Sequence, residues 1–120
     1  MARVIVRNVM VGVTVDTTTV VETQNLSNIG IVVIYDRTDT DGEGTLTITG
    51  CDDTSHTNEY IPAIKPTLTG TIDADGAFAY TTDTTVYYNV DGVHQFLKFY
   101  WNETVSTTAM TVYVVGLERE

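Results

Sequence analysis

Val9, Val11, Val13 and Val15 alternate with Met10, Gly12 and Thr14, a period of two that sends successive side chains to opposite faces of a strand. Leu46 and Ile48 alternate with threonines in GTLTITG (44–50) in the same way. IGIVVIY (29–35) is continuously apolar and too short for a helix, so it is predicted to be a buried strand. Further β-type runs are TVVET (19–23), TLTGTI (67–72), AFAYTT (77–82), TVYYNV (85–90), VHQFLKFYW (93–101) and AMTVYVVGL (109–117). No segment sustains a helical period.

Roughly eight to ten short strands with polar punctuation predict an all-β sandwich or barrel, with less than about a tenth of its residues helical. Without a repeat, linker or composition break, residues 1–120 read as one antiparallel β-sandwich domain. The inward members of the runs, and so the expected core, are Val11, Val13, Ile31, Val33, Leu46, Ile48, Leu97, Phe99, Val112 and Val114.

The punctuation itself poses a chemical question. DTDGEG (39–44), DADG (73–76) and NVDG (89–92) each set an acidic residue before glycine, as a calcium loop does. An EF-hand needs oxygen ligands at positions 1, 3 and 5, glycine at 6 and a glutamate at 12. With Gly42, Gly76 or Gly92 sixth, position 1 falls on Arg37, Thr71 or Tyr87 and position 12 on Ile48, Thr82 or Lys98. None of these completes a site. Asp-Gly between strands supplies the positive φ of a tight turn, so all three are expected to be hairpin turns that need no calcium; Asp39, Asp41 and Glu43 could offer only a weak surface site.

Composition agrees with strands: threonine and valine are the commonest residues and there are seven tyrosines. The net charge of −10 changes the picture more. Six basic residues, Arg3, Arg7, Arg37, Lys65, Lys98 and Arg119, are scattered and form no stripe. No nucleic acid and no anionic membrane is therefore an expected partner. No apolar stretch is long enough to span a bilayer as a helix, and MARVIVRNVM lacks the continuous apolar core of a secretory signal. Cys51 is alone, as suits a reducing cytoplasm.

Candidate chemistry is thin. His56 shares a polar loop with Cys51, Asp52, Asp53, Ser55 and Glu59, but the second pair of ligands a zinc site needs is missing. His94 is read as a strand residue facing a neighbour or solvent. The carboxylates are dispersed among turns, and no phosphate loop, GxSxG or HExxH occurs. The expectation is a protein that is not an enzyme, with no cofactor and no metal.

Surfaces are more informative. Leu97, Phe99 and Trp101 would form the inner face of one strand, leaving His94, Phe96, Lys98 and Tyr100 outside. That outer face is apolar enough to call for a cover. In RVIVR (3–7), Val4, Ile5 and Val6 ignore two-fold alternation, as a strand covered on both sides does. Val4, Ile5, Val6, Phe96 and Tyr100 are thus the candidate protein-contact residues, and residues 1–8 a contact arm.

GTLTITGCDDTSHTNEYIPAI (44–64), the stretch centred on 75–82, and VDGVHQFLKFYWNETVSTTAMTVYVVGLE (90–118) together resemble small β-sandwich structural proteins of tailed-bacteriophage virions. These are the capsid cement or decoration class and its minor-capsid relatives. In them a T-L-x-I-x-G strand leads to a polar Asp-rich loop, and an aromatic strand, here FLKFYW, turns through threonines into a valine-rich terminal strand. The first 43 residues match only in being strand-like, and Tyr60 stands where relatives often carry tryptophan.

The resemblance implies a jelly-roll-like, homo-oligomeric subunit made in the host cytoplasm and bound to the major capsid protein on the outer surface of the virion. The alternative kept open is a carbohydrate-binding or adhesive sandwich of a fibre or tail, for which Tyr87, Tyr88, Tyr100 and Trp101 are the aromatics to place. A metal-dependent hydrolase is a third reading, to be tested at the 51–59 loop.

Overall fold

The computed structural model describes residues 3–37, 43–52, 55, 58–62, 64–66, 77–80, 83–105 and 108–118. Among these are ten strands and no helix. The first sheet runs in the order β1 (Val4–Val13), β10 (Thr108–Glu118), β3 (Leu26–Arg37), β8 (Thr84–Val90), β6 (Ile64–Pro66). The second runs β2 (Thr17–Glu22), β9 (Phe96–Val105), β4 (Glu43–Cys51), β5 (Glu59–Tyr60), with β7 (Ala77–Tyr80) also paired to β4. Every pairing is antiparallel. The protein is an all-β antiparallel sandwich.

Its core lies between the sheets, where alternation places it. Ile31, Val33, Leu46, Ile48, Leu97, Phe99, Val112 and Val114 are all fully buried, each such side chain contributing about 1.5–3 kcal/mol. Toward one end the rings of Tyr35, Tyr80 and Trp101 pack with centroids 5.6–6.2 Å apart. The Tyr80 and Tyr88 hydroxyls meet at 2.9 Å, so neither buried oxygen is orphaned.

β1 departs from the expected core. Val13 is half-buried and Val11 is 64% exposed, while adjacent Val9 and Met10 are both buried. The cause is the pairing with β10, whose register slips between Asn8 and Met10 and again between Met10 and Val13. Each extra residue flips the side chains that follow. Gly12 sits in the second slip with φ +59, and its amide, off the ladder, donates to Thr111 Oγ1 at 3.0 Å.

The hairpin expectation is corrected at two of the Asp-Gly pairs. Gly42 lies between β3 and β4, and Gly92 between β8 and β9. In both cases the described strands on either side belong to different sheets and do not pair. Gly92 has φ +86, the positive value a turn after Asp91 requires. Residues 38–42 and 67–76, which hold the other two pairs and the TLTGTI run, lie outside the described residues.

Candidate functional site

The chemically richest cluster sits where the β4–β5 connection meets the β8–β9 crossover. Tyr60 and Gly50 are cross-strand partners, and the tyrosine ring occupies the space a Gly50 Cβ would need, 2.5 Å from Cε2. From there the Tyr60 hydroxyl donates to Asp52 Oδ1 at 3.0 Å and lies 2.6 Å from His94 Nδ1. His94 Nε2 is 2.9 Å from the Asp91 carbonyl; a carbonyl only accepts, so Nε2 carries a hydrogen. Asp52 Oδ1 also accepts the Gln95 amide at 3.0 Å, and the Thr23 hydroxyl donates to the His94 carbonyl at 2.7 Å.

Burial, then the hydrogen bond and charge of Asp52, then nearby Cys51, push the Tyr60 pKa up to about 12. The phenol is a hydrogen-bond donor at neutral pH, and its bonds join two connections to the sandwich edge. His94 is therefore a buried residue of the crossover, not a residue of β9. Of the 51–59 loop, Cys51 is a buried thiol and Asp52 joins this chain, whereas Asp53 and His56 lie outside the described residues. Among the described residues no three of His, Cys, Asp and Glu are grouped as metal ligands.

The two outer faces differ in character. On the first sheet the register lines up Val6, Val115, Gly30 and Asn89 in one row, and Asn8, Tyr113, Val32 and Tyr87 in the next. Thr111, Ile34 and Thr85 follow, and Val4 pairs with Leu117 beyond Val6. Val4, Val6 and Tyr87 are exposed and Val32, Ile34, Tyr113 and Val115 half-buried. Across β1, β10, β3 and β8 these rows hold no Asp, Glu, Lys or Arg, on a chain whose net charge is −10; Lys65 of β6 extends the first row beyond Asn89.

The second sheet presents a polar face. Thr18, Tyr100 and Thr47 form one row across β2, β9 and β4, and Val20, Lys98 and Thr49 the next. An open groove of about 410 Å³ is lined by Thr18, Thr47, Thr49, Glu59, Lys98 and Tyr100. Thr49 donates to Glu59 Oε1 at 2.6 Å, and Lys98 Nζ stands 3.7 Å from Glu59 Oε2.

The structure divides the five contact candidates between these faces. Val4 and Val6 lie on the outer face of the first sheet, while Ile5, opposite buried Gly116, turns inward at the core's margin. In the sheet, the segment that lacks alternation in sequence does alternate. Phe96, half-buried beside Cys51, and exposed Tyr100 lie on the second sheet. One flat partner cannot cover both sets. Tyr88 and Trp101 are core residues, leaving Tyr87 and Tyr100 as outward aromatics.

Sequence reasoning missed Val32, Ile34, Tyr113 and Val115 as surface residues. Their signal was present in IGIVVIY and VYVV, where both members of the alternation are apolar. Such runs read as doubly buried, and in the structure one side of each is the open face.

No family model matches the chain, and no curated protein matches it. Among solved structures, the crystal structure of SPBc2 prophage-derived protein YomS is similar, with TM-score 0.58 at 10% sequence identity, covering 98% of this chain and 96% of that one. At that identity the likeness is one of fold.

Proposed function

We propose that this chain is a non-enzymatic structural protein of a phage virion, bound to the capsid shell as a cement or decoration subunit through the outer face of its first sheet. The observation that carries the reading is the uncharged patch that Val6, Val115, Tyr113, Val32, Tyr87 and Ile34 form across β1, β10, β3 and β8 on a strongly acidic chain. Contiguous apolar surface of this kind marks a site of association. The partner is the major capsid protein, and the remaining acidic surface faces outward from the particle.

Two further facts support it. The fold neighbour is a prophage-derived protein. The strand order, with β1 beside β10 and β2 beside β9 in opposite sheets, supports a jelly-roll-like reading of the sandwich, in line with the virion class the sequence resembles. Homo-oligomerisation belongs to the same proposal, with copies meeting around the shell lattice.

The experiment is binding of purified protein to shells stripped of accessory subunits. Val6→Ser and Tyr87→Ser should each weaken binding about tenfold or more while the proteins stay folded, and Tyr100→Ala should bind as the parent does. Folded Val6→Ser and Tyr87→Ser proteins with parental binding would refute the assigned surface.

A further inference from the structure

The second sheet carries a different surface, and from it we infer a binding site for a neutral saccharide in the groove around Tyr100. The inference does not depend on the shell-binding reading, because it uses the opposite face of the sandwich.

Register builds the site. Tyr100 stands on β9 between Thr18 of β2 and Thr47 of β4, with neighbouring strands about 4.8 Å apart. Threonine is too short to cover a tyrosine ring, so Tyr100, 39% exposed, presents a free aromatic face above a hydroxyl floor. Among the described residues the Thr18, Thr47 and Tyr100 hydroxyls have no hydrogen-bond partner. Lys98 and Glu59 close the far side, one row along the strands, as a donor and an acceptor in loose contact at 3.7 Å.

These groups fit one ligand chemistry. The C–H face of a pyranose packs against an aromatic face, whose quadrupole is negative, while its edge hydroxyls both donate and accept. The wall supplies both roles: threonine hydroxyls, an ammonium and a carboxylate. One lysine against one glutamate leaves the groove without net charge, so it gives no electrostatic reason to take an anionic sugar. An extended peptide is disfavoured because β9 and β4 have their backbone edges paired, and strand addition needs a free edge. The groove volume of about 410 Å³ suits a small ligand.

The test is amide NMR titration with malto-oligosaccharides and chito-oligosaccharides as neutral probes, and an oligouronate and a polar peptide as comparisons. A neutral probe is expected to shift the amides of Thr18, Thr47, Lys98 and Tyr100 saturably. Tyr100→Ala should weaken binding about tenfold or more, and Tyr100→Phe, which keeps the ring, only about threefold. Tyr87→Ser should titrate like the parent, which separates this site from the shell-binding face. Absence of saturable shifts with either neutral probe up to about 10 mM, parental binding by Tyr100→Ala, or binding by the oligouronate or peptide alone would overturn the site.

Discussion

Tyr87 lies across Gly30 on the outer face of the first sheet, so closely that a Cβ on Gly30 would stand 2.0 Å from the tyrosine hydroxyl and 2.3 Å from Cζ. The glycine lets the ring lie down against the sheet and makes the apolar face flat. Gly30→Ala should therefore lift Tyr87, at a cost of no more than about 1 kcal/mol because the part-exposed ring can swing outward. The double variant Gly30→Ala, Tyr87→Ala should recover most of that loss, a coupling that denaturant unfolding of the four proteins measures.

The bulged course of β1 predicts a contrast between two valines that look alike in sequence. Val11→Ser, on exposed backbone, should change stability by less than about 0.5 kcal/mol. Val112→Ala, fully buried on the neighbouring β10, should cost about 1–3 kcal/mol. Equal losses at both positions would mean that the unbroken alternation of Val9 to Val15 is the true register.

That contrast shows where the sequence was readable. Leu46 with Ile48 and Leu97 with Phe99 were legible as core because β4 and β9 pair regularly through those residues, so a period of two survives into the structure. Val11 was not, because a bulge is a property of two strands and only one of them carries Gly12. Asp91-Gly92 revealed a turn but not which strands it joins, since pairing is decided by packing far along the chain. Likewise His56 drew attention as the loop's own imidazole, whereas the histidine that meets Tyr60 is His94. The Thr18–Tyr100–Thr47 row exists only once β2, β9 and β4 are in register.

Tyr60 offers a titration. With its pKa raised to about 12 in the folded protein and near 10 in the unfolded chain, folding holds the proton more tightly. Its contribution is thus intact below about pH 10 and declines as pH rises toward 12. Buried Tyr80 and Tyr88 are shifted upward as well and reinforce the loss. Tyr60→Phe should shed part of this alkaline dependence, seen as a shallower fall of the unfolding midpoint between about pH 10 and 12.

Glu103 runs the other way from most surface carboxylates. It faces inward opposite Gly44, both its oxygens are shut off from solvent, and the Asp16 side chain accepts its backbone amide at 2.8 Å. Desolvation raises its pKa; the Trp101 indole N–H lowers it in part, and the nearby Asp16 charge raises it further. A raised carboxyl pKa favours the fold below the ordinary glutamate range and loses that contribution as pH climbs through the folded value. Glu103→Gln should then stabilise the protein at pH 7 by about 1 kcal/mol and bring little gain at pH 4. A loss of stability at pH 7 would show that the ionised carboxylate has a function in the fold.

Placement on a shell is tested by electron cryomicroscopy of purified virions whose genome encodes this chain. Sandwich-shaped density is expected on the outer shell surface, with Val6, Val32 and Tyr87 against the capsid protein and the Tyr100 groove facing away. Virions that lack the chain, or that hold it with the first sheet turned to solvent, would contradict it.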